Sequence, residues 1–216
     1  MLGIIIKDFY ESFCIRKNLF GFIFSYLFLI FVIFGVRNVS GLVLLIVLAL
    51  PMTSVSPLQY SMEQDEISKF DKKLLTFPLT RKEIVFSKIS STYIFALLSN
   101  LVFSLPIVFV YIYCFGVINL SIGLWIFFLG IIMTLVMLPI NNIGFFLLGN
   151  KKGTILYMII LVIVTLFYIY GNIILKIGNE FMNPSVHIIF ISLLVSIILN
   201  IIGYYVCVKI YTHKNS

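Results

Sequence analysis

The sequence has 216 residues, of which 62% are hydrophobic and only 11% are charged, and its formal net charge is +7. Its mean hydropathy is +1.17, and a soluble domain of this size could not remove so much apolar surface from water. The composition therefore excludes a water-soluble enzyme, a nucleic-acid-binding domain and a disordered chain, and it predicts an all-α integral membrane protein.

The first predicted element is an amphipathic helix within residues 1–18. Leu2, Ile5, Phe9 and Phe13 recur at helical spacing, while charged residues occupy the other faces. Such a helix is expected to lie in the membrane interface, and the alternative is a helical extension of the first span. The remaining residues, 19–216, are predicted to form a single transmembrane domain.

Six apolar runs follow, and each is long enough to cross a bilayer as a helix. The stretch 89–150 has 62 residues without a charge, which is too long for one crossing and predicts two spans joined by a turn. Pro51 and Pro57 are expected to interrupt the second span. The predicted spans are Leu19–Val36, Gly41–Met62, Ser91–Phe115, Ile122–Gly149, Thr154–Leu175 and His187–Val208.

The basic residues are distributed unevenly between the two sides of the predicted bundle. Six spans place both termini on one side, which carries thirteen lysines and arginines, whereas the other side carries only Arg37 and Lys176. Because positively charged loops stay in the cytoplasm, the sequence predicts a multi-pass protein of the cell (plasma) membrane with both termini cytoplasmic. The positive net charge follows from this bias and indicates no nucleic-acid partner.

The segment 63–88, between the second and third spans, holds eleven of the 23 charged residues. Ile67, Phe70 and Leu74 have helical spacing and predict a helix Asp65–Thr76 with one apolar stripe. Two roles for this stripe remain open: it packs back on the bundle, or it forms a docking surface for another protein.

A second helix is predicted to begin directly after this one. Phe77-Pro78 ends the first helix, because the residue before a proline avoids the helical region. Thr80 and Glu83 have the spacing of a capping box, which predicts a helix start there and a continuation through Lys88 into the third span.

The predicted spans contain almost no ionisable side chains, which limits the chemistry that they could perform. Proton relays, ion paths, membrane proteases and metal sites need carboxylates, histidines or paired ligands inside the bilayer. The sequence also has no phosphate-binding loop. We therefore predict no catalytic residue, no metal site and no cofactor in this chain, so that any ATP driving it binds another subunit.

Polar residues within the spans are the candidates for a substrate path. Small and polar residues also hold neighbouring helices together in membranes, so each of these positions has two interpretations. The candidates for the translocation path or for helix interfaces are Asn100, Ser104, Asn141, Asn142, Ser192, Ser196 and Asn200.

The stretch Asp65–Lys88 resembles the cytoplasmic segment of type-2 ABC exporter permeases. It has an acidic start, the pair Leu74-Leu75, then Phe77-Pro78 and Thr80-Arg81, with a basic residue before the third span. The predicted six spans, the interface helix and the missing ATP site match the same family. Within it, the chain looks closest to the small permeases of bacterial peptide exporters.

The resemblance implies that segment 63–88 forms a coupling helix, which sits in a groove of a separate cytoplasmic ABC ATPase subunit. ATP and Mg²⁺ would bind that ATPase, present in two copies beside a second permease copy or a paralogue in the lipid bilayer. The implied function is the permease subunit of an ATP-driven exporter, and its expected substrates are hydrophobic or amphipathic peptides. The residues implied at the ATPase contact are Glu66, Lys69, Phe70, Lys73, Leu74 and Phe77.

The main alternative is the six-span substrate-capture subunit of a vitamin importer, a protein of similar size. Leu19–Val36 has no Ala-x-x-x-Ala face of the kind such subunits use, and segment 63–88 has no evident role there. Vitamin bound to the purified protein would favour this alternative. An intramembrane enzyme is a third hypothesis, which the missing catalytic constellation disfavours.

Overall fold

A computed structural model of the chain describes residues 1–54, 56–175 and 186–214, and the regular elements in these ranges are all helical. Several long apolar helices confirm the predicted all-α integral membrane class. Residues 176–185, which include Lys176 and most of the predicted connection before the last span, lie outside the described residues. The five helices that are long and apolar enough to cross a membrane are Arg16–Gly35, Val39–Ser68, Arg81–Cys114, Leu120–Gly171 and Ile189–Lys214.

Helix α1 (Leu2–Phe13) and helix α2 (Arg16–Gly35) follow each other after a short turn. α1 turns Ile4, Asp8 and Ser12 toward the protein. Ile5 and Phe9 of the predicted apolar stripe are half-buried, and the exposed apolar side chains on the outward side are Leu2, Ile6 and Phe13. The outward apolar face is the one that an interfacial helix presents to lipid, so its location in the membrane interface stays a prediction that the geometry suits.

The second crossing is assembled from short helical pieces around its prolines. A proline has no N–H, and its ring displaces the carbonyl four residues earlier, so the chain widens into a π-helical turn before Pro51. Ser54 caps the piece that holds Pro51, and Val55 lies outside the described residues. The pieces are α3 (Val39–Val43), the π turn Leu44–Ala49, α4 (Leu50–Thr53) and α5 (Ser56–Ser68).

The third crossing begins at the predicted capping box and contains a second proline-associated π turn. Thr80 Oγ1 accepts a hydrogen bond from the Glu83 N–H at 3.3 Å, and Glu83 Oε2 accepts one from the Thr80 N–H at 2.7 Å, which confirms the box. Pro106 again lies directly after a π turn. The pieces are α7 (Arg81–Ser99), the π turn Asn100–Ser104, α8 (Leu105–Phe109) and the π turn Val110–Cys114. Between the second and third crossings lies the short helix α6 (Phe70–Leu74).

Helix α9 (Leu120–Leu175) folds back on itself at Gly149, whose φ of 76° and ψ of −178° are not helical. A Cβ added to Gly153 would lie 3.1 Å from the Cα of Phe145. On a straight helix these two residues would be about 12 Å apart. The contact therefore requires two arms, 120–148 and 150–175, that pack against each other. The prediction of six spans matches this geometry and stays a prediction.

Helix α10 (Val186–Lys214) returns its C-terminal turn to the end of the bundle where the chain begins. Arg81 donates a hydrogen bond to the carbonyl oxygen of Thr212 at 3.2 Å, and Lys214 Nζ donates one to that of Phe146 at 2.9 Å. We call this end, where α1, the start of α7 and the last turn of α10 meet, the junction end.

The largest apolar core lies toward the opposite end of the bundle. It joins the second crossing to α8 and to the beginning of α9, and Tyr111 at its edge donates a hydrogen bond to the carbonyl oxygen of Val36. Buried members of this core include Leu42, Leu45, Ile46, Ile107 and Ile126. The two ends of the bundle thus differ in chemistry, because the junction end buries charge.

Candidate functional site

A cluster of buried charges occupies the junction end, where α1, α5 and α7 meet. Asp65 on α5 is only 4% exposed, and two lysines donate hydrogen bonds to it. Lys7 Nζ of α1 lies 2.5 Å from Asp65 Oδ1, and Lys88 Nζ of α7 donates to Asp65 Oδ2. Lys88 is also 4% exposed, so this ion pair joins α5 to α7 in a place that water scarcely reaches.

Asp8 extends the cluster into α1. Its side chain is buried, and it accepts hydrogen bonds from two hydroxyl groups on the other two helices. Ser61 Oγ lies 2.6 Å from Asp8 Oδ1, and Ser91 Oγ lies 3.1 Å from Asp8 Oδ2. Lys88 Nζ also donates to Ser61 Oγ at 3.2 Å. Asp8 and Asp65 thus each have hydrogen-bond partners on two other helices.

Glu11 completes the group through Lys7, whose Nζ donates to Glu11 Oε2 at 2.9 Å. Partial burial raises the pKa of Glu11 above its ordinary value, and the neighbouring Lys7 opposes this shift. We call Lys7, Asp8, Glu11, Asp65 and Lys88 the charge cluster. Its three carboxylates and two ammonium groups give a formal charge of −1.

The charge cluster fixes the position of α1 more specifically than apolar packing would. Moving a charged group out of water costs several kcal/mol, and only the right partners in the right geometry offset that cost. A shift of α1 by one turn would separate Asp8 and Lys7 from their partners. Within the described residues, no group of three or more His, Cys, Asp or Glu side chains is arranged to hold a metal ion.

Sequence reasoning missed this cluster, although two signals for it were present. Ser61 and Asp65 are four residues apart, and Lys88 and Ser91 are three apart, so each pair shares a helix face. Lys88 also stands directly before the long charge-free stretch, where an ionisable side chain needs a partner. What the sequence could not give is that α1 lies against these two faces.

The structure overturns the predicted helix Asp65–Thr76. α5 ends at Ser68, and Lys69 adopts the left-handed conformation with a φ of 52°, after which α6 begins. The reversal at Lys69 breaks the helical periodicity, so Ile67 and Leu74 do not share a face. Ile67 is 68% exposed, whereas Leu74 is fully buried.

Leu74 therefore has to be removed from the residues predicted to contact the ATPase. It packs in a small core with Ile4 of α1 and Ile84 of α7, which the partly buried Phe70 and Leu79 border. A side chain with no exposed surface cannot touch a partner protein while the protein keeps this fold. Its role is to anchor α6 to the helices of the charge cluster.

The other predicted contact residues lie at the surface of the junction end, apart from the half-buried Phe70. Lys7 Nζ lies 4.5 Å from the centre of the Phe70 ring, and Phe77 packs against the same ring at 6.3 Å between centroids. Glu66 Oε1 accepts a hydrogen bond from the Asn150 N–H at 2.9 Å, at the start of the second arm of α9. The surface residues of the predicted set are Glu66, Lys69, Lys73 and Phe77.

Two of the polar residues within the spans, Asn100 and Asn200, make hydrogen bonds between crossings. Asn100 Nδ2 donates to Thr134 Oγ1 at 3.0 Å, and Ser104 Oγ of the same crossing donates to Asn100 Oδ1 at 3.2 Å. Asn200 Nδ2 donates to the carbonyl oxygen of Leu135 at 2.9 Å, and its Oδ1 accepts from the Tyr93 hydroxyl. The bonds of Asn100 and Asn200 join the third crossing, α9 and α10 to one another, as expected of polar groups that hold membrane helices together.

The remaining polar candidates have different surroundings. The hydroxyls of Ser192 and Ser196 donate to carbonyl oxygens one turn earlier on α10. Asn141 and Asn142 are buried, and Asn141 Nδ2 and Asn142 Oδ1 have no hydrogen-bond partner among the described residues. The structure therefore does not bring the seven candidates together on one surface.

The charge cluster and α6 hold α1, α5 and α7 together at the junction end of a bundle of apolar helices. A family model described as ABC-2 family transporter protein matches residues 3–212. The chain belongs to this family. No curated protein and no solved structure matches the chain.

Membership in the ABC-2 family makes the protein a multi-pass membrane permease subunit of an ABC transporter. The permease itself is a transport subunit and not the catalytic one, and the family implies an ATPase as its partner.

Proposed function

We propose that this ABC-2 protein is the permease subunit of an ATP-driven exporter, and that segment 63–88 is the surface on which a cytoplasmic ABC ATPase acts. The observation that carries the proposal is the exposed left-handed turn at Lys69, flanked by Ile67 and Phe77, which are 68% and 47% exposed. Exposed apolar side chains among charged ones have the chemistry of a protein-docking surface.

The proposed contact differs from the one expected from the sequence in two residues. Leu74 is removed because it is buried, and Ile67 is added because the turn at Lys69 exposes it. The charged members would set the orientation of the partner, and the apolar members would supply the buried area. The proposed contact residues are Glu66, Ile67, Lys69, Phe70, Lys73 and Phe77.

The structure of the junction end supports transmission of a push on this surface to the spans. Leu74 anchors α6 to α1 and α7, and Asp65 joins the preceding α5 to the same two helices. α5 belongs to the second crossing and α7 begins the third, so a displacement of α6 moves both as rigid elements.

We further propose that the substrates are hydrophobic or amphipathic peptides. A cavity of about 290 Å³ lies between α2, the second crossing and the second arm of α9. Its lining is mostly apolar, with hydroxyl groups from Ser25, Thr53, Tyr157 and Thr165. An apolar wall with a few polar groups suits a substrate that has both kinds of surface. A second permease copy or a paralogue would complete the pathway, with two ATPase subunits.

Co-purification from native membranes tests the ATPase contact. The tagged wild-type protein is expected to retain an ABC ATPase, identified by mass spectrometry, whereas Ile67→Asp and Phe77→Asp lose it without loss of membrane insertion. Leu120→Asp makes the same chemical change on an exposed leucine at the start of α9, and this control should retain the ATPase. Equal retention by all three variants would contradict the proposed contact.

Direction and substrate need a transport measurement. Inside-out membrane vesicles that contain the permease and its ATPase should accumulate a fluorescent amphipathic peptide when ATP is added. Uptake into right-side-out vesicles alone would contradict export, and transport of neither an apolar nor an amphipathic peptide would contradict the substrate class.

A further inference from the structure

An apolar groove of about 500 Å³ runs along α1, α2 and the third crossing, on helices that face the membrane. Phe13 of α1 lines it, and Leu98 and Val102 line it from the third crossing. Apart from Tyr26 and Ser99, the side chains that line it are apolar. Leu98 and Val102 are about half exposed, so the groove opens sideways toward lipid.

The wall contributed by α2 is a single helical stripe that ends in a cation. Leu19, Ile23, Leu27 and Ile30 line the groove at spacings of four, four and three residues. Arg16 lies three residues before Leu19, so it continues the same stripe toward the junction end. The Arg16 side chain is exposed, and no described residue forms an ion pair or hydrogen bond with its guanidinium.

The dimensions of the stripe match one leaflet of a bilayer. From Leu19 to Ile30 the helix rises by about 16 Å, which is half the ~30 Å thickness of the hydrocarbon core. Arg16 would then lie at the depth of the phosphate groups. Its neighbour Lys17 is already paired with Glu63 at 2.5 Å, whereas Arg16, three residues before the first lining residue of α2, has no such partner.

We propose that the groove is a binding site for an anionic phospholipid. One acyl chain lies along the stripe from Leu19 to Ile30, and Arg16 holds the phosphate through charge-assisted hydrogen bonds. The apolar lining selects a hydrocarbon chain, the length selects a chain that ends at the bilayer midplane, and the free guanidinium selects a negative headgroup. The proposal is independent of the ATPase contact.

Native mass spectrometry of the detergent-released protein tests the site. The protein is mixed with equal amounts of phosphatidylglycerol and phosphatidylcholine that carry identical acyl chains. The wild type should retain phosphatidylglycerol preferentially, and Arg16→Gln should retain about fivefold less of it, the factor expected of one cation at a bilayer surface. Arg16→Lys should keep most of the preference, and the exposed control Lys152→Gln should not change it.

A groove-filling variant, Leu98→Trp, separates the acyl-chain site from surface charge. It should lower retention of both lipids while the variant keeps the unfolding temperature of the wild type. Equal retention of the two lipids by the wild type would overturn the proposal, as would equal losses in Arg16→Gln and Lys152→Gln. It would also be overturned if Leu98→Trp kept its lipid but lost a dimer mass, because the groove would then be a contact between two copies.

Discussion

Replacing Lys88 by methionine should destabilise the protein more than replacing Lys7, the other lysine of the charge cluster. Lys88 is buried, and it donates hydrogen bonds to Asp65 and to Ser61. Methionine has a similar volume but no charge. The cluster therefore changes from three carboxylates and two ammonium groups to three carboxylates and one ammonium group. Its formal charge falls from −1 to −2 in a place with little water.

The expected magnitude follows from the partners that remain. Removing one member of a buried ion pair costs about 3–5 kcal/mol, because the other charge stays buried without its partner. Asp65 keeps Lys7 at 2.5 Å, so we expect the lower end, about 3 kcal/mol. For a chain of this length such a loss lowers the unfolding temperature by about 6–12 °C.

The assay is thermal unfolding in detergent, completed by a double variant. Lys88→Met with Asp65→Leu removes the pair as a unit and restores the formal charge to −1, so this double variant should be more stable than Lys88→Met alone. Lys82→Met, an exposed change on the same helix, should stay within about 0.5 kcal/mol of the wild type. The reasoning would be refuted if Lys88→Met were as stable as Lys82→Met. It would also be refuted if the stability losses of Lys88→Met and Asp65→Leu, each measured alone, added up to the loss of the double variant.

Three further predictions concern the fold around this site. Leu74→Ala should lower the free energy of unfolding by about 2–5 kcal/mol, because it leaves a cavity between α1, α6 and α7. The change of its exposed neighbour, Leu75→Ala, should cost under about 0.5 kcal/mol in the same unfolding assay. Equal costs would contradict the role of Leu74 as the anchor of α6. Gly149→Ala should cost about 1–3 kcal/mol because its φ and ψ are nearly restricted to glycine, and Gly3→Ala, in open space on α1, is the control that should not destabilise. Because the pKa of Glu11 is raised in the folded protein, its contribution to stability is present at low pH and is lost as the pH rises from 4.5 through the folded value. Glu11→Gln should remove that part of the pH dependence of the unfolding temperature, and an unchanged pH profile would contradict the burial of Glu11.

The helical pattern was predictable wherever one local rule decided it. The capping box at Thr80 and Glu83 was confirmed because its two hydrogen bonds form between residues only three apart. The long apolar runs likewise specify helices, since a membrane leaves backbone groups no other partner than their own helix. The break between the two arms of α9 could be placed from the small and polar residues around Gly149.

The candidate site was predictable only in part, because it depends on contacts between distant segments. The apolar spacing of Ile67, Phe70 and Leu74 predicted one stripe, but the left-handed Lys69 separates Ile67 from Leu74, and no local rule places a lysine there. The charge cluster and its hydroxyl partner Ser91 join residues up to 83 positions apart. Their helical spacing is visible in the sequence, whereas their juxtaposition follows from how α1 packs.

The most direct test of the central proposal is site-specific photocrosslinking from segment 63–88 in native membranes. A photoreactive amino acid in place of Phe77 should form a crosslink to an ABC ATPase, identified by mass spectrometry, and the same amino acid in place of Leu120 should not. A crosslink from both positions, or from neither while the ATPase still co-purifies with the wild type, would contradict segment 63–88 as the surface on which the ATPase acts.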